Sequence, residues 1–282
     1  TSPRPIKMKT NFLFAVVLAW SIMAGPCGRA AHAQQDGVSP KATPFAACFD
    51  PINPPFSAEN DANGGIDLQV AEGIAKQLAR RFSPVWIQVP NRGGLDKALK
   101  QSLLAGKCDA FFGMPLGDDT KAELGERGMA VSSPYVQGRY LLMADPRRAA
   151  DGARVLRNAS RVGALTATPA DLYLHKEGLR RVPYGSNKEL LAALMNREVD
   201  AALVWSPAVA RAREDGVAIT PDLVVSVQPA DPLLATRFVI VTRKGDAQLR
   251  NEIDAAIAAM RSSGELAAIM DRNGLVHADP NQ

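Results

Sequence analysis

The sequence predicts an α/β protein built as two α/β lobes with a hinge and a cleft between them, following an export leader. Three features carry this expectation. A short apolar run near the start ends in a small-x-small tripeptide. Two later stretches alternate short apolar runs with longer amphipathic ones. Two extended apolar segments between those stretches can take the chain from one lobe to the other and back.

The leader comes first. Arg4, Lys7 and Lys9 precede an apolar run over residues 12–24, too short for a membrane-spanning helix, and Ala31-His32-Ala33 supplies the cleavage pattern. Residues 1–33 are expected to be a signal peptide, Cys27 leaving with it, and 34–43 a loose polar tail. The whole chain carries 33 basic and 29 acidic residues, a net charge of +4. The leader holds four of the basic residues and no acid, so the remainder is balanced at 29 against 29. The basic character therefore says nothing for nucleic acid or acidic lipid as a partner.

Residues 45–49 read as a strand closed by the turn-rich Asp50-Pro51-Ile52-Asn53-Pro54-Pro55. Leu68, Ala71, Ile74, Ala75 and Leu78 fall at helical spacing and predict a helix over 67–82. A strand over 85–89, a helix over 95–104 stopped by Gly106, and a strand over 109–114 complete a βαβαβ order, which favours a parallel sheet. The grammar returns with a strand over 161–165, a helix start at Thr168-Pro169, a helix over 189–195 and a strand over 199–205. Residues 98–110 and 189–201 echo each other as helix, short turn, Asp-Ala, apolar strand. Two short helices end the chain, the first lined by Leu249, Ile253, Ala256, Ile257 and Met260, the second following Gly264 and capped by Gly274. The expected lobes are 44–139 for the first part of lobe one, 140–237 for lobe two, and 238–282 for a return to lobe one. Gly138 and Pro232 stand beside the crossings.

Taken in order, Pro54-Pro55-Phe56-Ser57, Gly65-Ile66-Asp67-Leu68, Ser132-Ser133-Pro134-Tyr135, Val162-Gly163-Ala164-Leu165-Thr166 and the segment 239–246 resemble type II periplasmic solute-binding proteins over nearly the whole mature chain. Cys48-Phe49-Asp50-Pro51, Arg92-Gly93-Gly94, Cys108-Asp109-Ala110 with Gly113-Met114-Pro115, and Val199-Asp200-Ala201 running to Trp205-Ser206-Pro207 look like the branch associated with quinoprotein (methanol-type) dehydrogenases. The resemblance implies a periplasmic, monomeric accessory protein, without cofactor, whose partner is a pyrroloquinoline-quinone dehydrogenase or its cytochrome c. The competing expectation is a substrate-binding protein that delivers a small organic solute to the permease of an ABC transporter.

In such a fold a ligand sits where loops and helix N-termini converge at the carboxyl ends of the strands. Asp50, Phe56, Met114, Pro115, Tyr135, Thr166, Thr168 and Trp205 are the candidates, with Phe56 and Trp205 either clamping a ligand or simply packing the lobes. Amino-acid-binding members of the superfamily hold the ligand ammonium with an acid where Trp205 stands, and its carboxylate with an Arg after the third strand. Here that stretch runs Gly113 to Lys121 without an Arg, and Arg127 comes later. Asp109 and Asp200 are expected to be structural.

Catalysis has little support in the sequence. His175 and His277 belong to no ligand spacing, Asp118-Asp119 reads as a solvated pair, and no H-E-x-x-H, G-x-S-x-G or P-loop occurs. Asp50 is the one carboxylate placed for acid–base work on this scaffold. Cys48 and Cys108 are expected to bridge if the first and third strands are neighbours; the alternative is two separately buried cysteines.

Overall fold

The computed structural model describes residues 43–61, 63–90, 94–144, 152–214, 216–219, 224–225, 231–273 and 275. The expected leader, the tail as far as residue 42, Arg92, Gly93, Gly274 and His277 lie outside the described residues.

The chain begins with β1 (Phe45–Phe49), a small hairpin of β2 (Ile52–Asn53) and β3 (Ser57–Ala58), α1 (Ile66–Gln77), β4 (Phe82–Trp86), α2 (Gly94–Gln101) and β5 (Ala110–Leu116). After α3 (Thr120–Glu126) and β6 (Met129–Val131) comes the long β7 (Val136–Ala144). Then follow α4 (Gly152–Asn158), β8 (Val162–Leu165), α5 (Pro169–Lys176), β9 (Arg181–Tyr184), α6 (Asn187–Met195), β10 (Ala201–Trp205) and α7 (Ser206–Glu214). The chain closes through β11 (Val224–Val225), the long β12 (Ala235–Arg243), α8 (Ala247–Ser262) and α9 (Glu265–Arg272).

The strands line up as β4-β1-β5-β12-β7-β10-β8-β9. On one side β4, β1 and β5 are parallel, and on the other β10, β8 and β9 are parallel. Each triplet is bordered by a long antiparallel strand, β12 against β5 and β7 against β10. β12 and β7 pair with each other at Ala235↔Arg139, Thr236↔Gly138, Arg237↔Gln137 and Phe238↔Val136. The order is thus palindromic, two α/β lobes joined through one antiparallel ribbon.

Each triplet is covered on both faces, as a parallel sheet requires. In the first lobe one face packs Phe45, Phe49, Ile74, Ile257 and Ile269 among others, so α1, α8 and α9 share a core. The other face packs Leu99, Leu103, Phe111 and Val241. In the second, Val162, Leu174 and Leu203 fill one face, and Leu190, Leu194, Val204 and Val209 the other.

The echo between 98–110 and 189–201 is structural. Asp109 precedes β5; its N–H donates to Ala46 O, and its Oδ2 accepts from Ala46 N at 3.1 Å. Asp200 precedes β10; its N–H donates to Arg161 O, and its Oδ2 accepts from Ser160 N and Arg161 N at 2.9 and 3.0 Å. Each carboxylate ties the start of a central strand to its parallel neighbour. Asp109 also pairs with Arg80 at 3.0 Å.

Cys48 and Cys108 form a disulfide, with Cα atoms 5.8 Å apart. The order β4-β1-β5 places β1 beside the residue that leads into β5, and both cysteines are buried. Arg243 donates to Leu103 O and Cys108 O at 3.0 and 2.7 Å, fastening β12 to the same turn.

Two boundaries differ from the sequence expectation. The helix expected over 67–82 stops at Gln77: Ala79 turns left-handed at φ 51, its N–H donates to Lys76 O, and Arg80 N–H donates to Ala75 O. That is a Schellman stop with alanine in the glycine position. The strand expected over 85–89 runs instead as Phe82–Trp86, with Pro84 inside it. β4 lies at the edge of the sheet, where a missing N–H costs no ladder bond.

Candidate functional site

The hairpin after β1 is held against the start of α1. The first helical N–H groups have no partner within their own helix, and here Ile66 N–H donates to Pro55 O at 3.0 Å and Asp67 N–H to Phe56 O at 2.7 Å. Gly65 makes this contact practicable, since a Cβ there would lie 2.5 Å from Phe56 O. Ser57 Oγ donates to Asp50 O at 2.7 Å, closing the loop at its base. Pro54 and Pro55, joined by a cis peptide bond, are thereby presented toward the second lobe.

They face a groove of about 640 Å³ whose opposite wall is α6 and α7. From α6 come Lys188, Leu191, Ala192 and Met195; from α7 come Pro207, Ala208 and Arg211. Trp205, the last residue of β10, and Val217 complete the lining. Met195 is 42% exposed although Leu191 and Leu194 on the same helix are buried. The wall is apolar with two cations, and no carboxylate belongs to it.

The eight residues expected at a cleft do not gather in one place. Trp205 lines the groove and also spans the lobe connection: its ring lies 5.1 Å from that of Tyr140, and a Cβ on Gly138 would come within 2.2 Å of its Cη2. Phe56 is buried, its ring 4.5 Å from Phe238 on β12. The two aromatics therefore rest on the two crossing strands, Phe56 on β12 and Trp205 on β7. Burial takes Phe56 and Tyr135 away from solvent, and Met114 packs into the core under α2. Pro115 is exposed on β5, opposite Phe238. Asp50 is half-buried and accepts from Ile52 N at 3.0 Å, an Asx turn that shapes the hairpin. Thr166 donates to Tyr184 O at 2.9 Å. Thr168 caps α5, accepting from Asp171 N, and lines a second, shallower depression of about 520 Å³ with His175, Leu172 and the Asp171–Arg181 ion pair. Arg127 ends α3 and pairs with Asp96.

The unforeseen lining is that of α6 and α7. A helix was expected over 189–195 but none over α7, and the exposed edge formed by Ala192 and Met195 becomes meaningful only once Pro54 and Pro55 stand opposite.

One buried acid also escaped the sequence reading. Asp67, in the first turn of α1, is fully buried and accepts a 2.5 Å hydrogen bond from the Tyr135 hydroxyl. Gly113 N–H in turn donates to that hydroxyl at 3.1 Å. Burial raises the Asp67 pKa from 3.8 to about 7, the Tyr135 hydrogen bond opposing the rise. Burial and the neighbouring Asp67 carboxylate push the Tyr135 phenol well above its usual range. The trio joins α1, β5 and the segment leading into β7.

Among the described residues, no group of three or more His, Cys, Asp or Glu side chains is arranged to hold a metal ion, and no helix is long and apolar enough to cross a membrane.

No curated protein matches the chain in sequence. Solved structures of similar fold include the unliganded, open L-cystine solute receptor of Neisseria gonorrhoeae (18% identity, TM-score 0.66, covering 84% of this chain and 96% of that one). The open substrate-binding domain 2 of Lactococcus lactis GlnP matches at 20% identity and TM-score 0.63, over 85% of this chain and 99% of the other. MxaJ from Methlophaga aminisulfidivorans MPT matches at 18% identity and TM-score 0.56, over 82% and 99%. These share the type II binding-protein fold. The model of one sequence family spans residues 46–275, and the chain belongs to that family, the bacterial extracellular solute-binding proteins, family 3.

Proposed function

We propose that the protein is a periplasmic, non-enzymatic accessory of a quinoprotein alcohol dehydrogenase system, meeting the dehydrogenase or its cytochrome c rather than feeding a permease. The observation that carries this is the seating of Trp205. It stands where amino-acid-binding members of the superfamily place an acid, and it lies on Gly138 and Tyr140 of the crossing strand. With Phe56 on Phe238, the protein's own aromatics occupy the base between the lobes. The motifs around Cys48 and Cys108 and from Val199 to Pro207, which resemble the dehydrogenase-associated branch, support the same assignment. Against catalysis stands the environment of Asp67: the one acid among the described residues with a strongly raised pKa is sealed in the core and committed to Tyr135.

A transport receptor is the second reading, and the groove between the lobes favours it. Sedimentation velocity of the mature chain mixed with the quinoprotein dehydrogenase and cytochrome c of its own organism separates the two. A saturable complex with either partner is expected. Absence of any complex at micromolar concentrations, together with tight binding of a common solute, would give first place to transport.

A further inference from the structure

We propose that the exposed face of α2 and the turn after it, carrying Lys97, Lys100, Leu104 and Lys107, is a docking surface for an acidic face of a protein partner. The proposal rests on the reading of the chain as an accessory protein only for the existence of such a partner. The turn leads into the start of β5, so the surface lies at the end of lobe one away from the carboxyl ends of the strands, where ligand loops gather.

From Lys97 to Lys107 the chain holds three lysines and no acid. Ala98, Leu99, Ser102 and Leu103 turn into the core, which leaves the lysines and Leu104 outside. Leu104 is 38% exposed, and its place is fixed by its surroundings. Its N–H donates to Leu99 O at 3.0 Å, and Lys107 N–H donates to Ser102 O at 2.9 Å. Arg243 holds the carbonyls of Leu103 and Cys108, and Cys108 is bridged to Cys48. A turn tied down at this many points loses little further freedom when a partner binds.

The acids that flank the strip are already engaged, Asp96 with Arg127, and Asp109 with Arg80 and Arg243. Among the described residues, none of the three lysines is in an ion pair. The repeated unit of lobe two serves as an internal control. Aligned on Asp109 and Asp200, residues 188–198 set Lys188 and Arg197 against Glu189 and Glu198. The buried Leu191 stands in place of Lys100 and Glu198 in place of Lys107, and the last turn of α6 has no base. Helix, turn and tethering aspartate thus form without a cationic strip, so complementing a helix end does not account for the lysines. Three cations around one open leucine have the make-up of a small interface, apolar at the centre and polar at the rim. One leucine is too little apolar surface to enter a bilayer, whereas a protein face bearing carboxylates around an apolar spot complements both parts.

Photo-cross-linking in the intact cell reads the proposal. With p-benzoylphenylalanine in place of Leu104, the full chain expressed in its own organism should give one major protein adduct, joined at a segment rich in Asp and Glu. Lys97→Glu, Lys100→Glu and Lys107→Glu together should cut its yield by about tenfold or more, since charge complementarity governs encounter. The same three lysines changed to Gln should cut it by a smaller factor, and Arg197→Glu should leave it unchanged. The melting temperatures of both triple variants should match the parent's, so that a lost adduct reports lost contact. An adduct with the quinoprotein dehydrogenase or its cytochrome c supports the surface and the accessory reading together. A charge-sensitive adduct with a different acidic protein supports the surface and removes that reading. An adduct indifferent to charge reversal, one joined at a basic segment, one with lipid, or none at all would each overturn the docking surface, and sedimentation would still decide the reading.

Discussion

Replacing Asp67 by Asn tests the buried acid and its sign. The folded protein holds the Asp67 proton up to about pH 7, whereas the unfolded chain releases it near 3.8. Between these values unfolding releases a proton, so stability falls as pH rises through that window and is flat on either side. A difference of about three pKa units at about 1.36 kcal/mol each sets the full loss on the order of 4 kcal/mol at pH 8. Asparagine is neutral throughout, has nearly the shape of the protonated acid, and offers Oδ1 to the Tyr135 hydroxyl. Urea unfolding followed by circular dichroism at several pH values from about 4 to 8 should therefore find Asp67→Asn close to the parent at the acid end. It should become progressively more stable than the parent toward pH 8, by several kcal/mol. Tyr135→Phe removes the donor that favours the carboxylate, so it should move the parent's loss to higher pH. A stability difference between parent and Asp67→Asn that stays constant across the range would refute the reasoning.

Three further outcomes are expected. Removing the disulfide by Cys48→Ala with Cys108→Ala frees a 60-residue loop and should cost about 4 kcal/mol by chain entropy; oxidised and reduced parent proteins with equal urea midpoints would contradict this. Gly138→Ala drives a methyl against the Trp205 ring and should cost about 1–3 kcal/mol with a red-shifted indole emission; unchanged emission and stability would mean that Trp205 is not seated on β7. Common L-amino acids should show no micromolar binding by calorimetry, since an absent acid and an absent Arg each remove a charge-assisted bond worth roughly 1.5–3 kcal/mol, and tight binding of any of them would reverse this.

The adjacency of β1 and β5 and the bridge between Cys48 and Cys108 were legible because parallel βαβ grammar makes the first and third strands neighbours, and neighbouring strands fix which side chains meet. The end of α1 was not, because Leu78 and Ala79 keep the helical apolar spacing and no glycine or proline announces the left-handed turn at Ala79. β4 was displaced because Pro84 argues against a strand until its edge position is known. For the site, sequence located the loops but not the direction of their side chains. Phe56 and Tyr135 stand beside strand ends as a ligand-binding residue would, yet their rings turn into the core. Asp67 was passed over as an ordinary first-turn acid, since nothing in Gly65-Ile66-Asp67-Leu68 says that a tyrosine 68 residues later closes over it.

The palindromic sheet has a consequence for the order in which the chain can fold as it is made. The second lobe takes its four principal strands from one continuous stretch, β7 to β10. The first lobe begins at Phe45 but waits for β12 to fill the place between β5 and β7, and for Ile253, Ile257, Met260, Leu266 and Ile269 to cover α1. Its opening βαβαβ unit is therefore synthesised early and left with an uncovered apolar face until α8 and α9 emerge. Closing it depends on contacts between elements far apart in sequence, β1 and α1 with β12, α8 and α9, which slows the step. The N-terminal lobe, first to be translated, is the last to be finished.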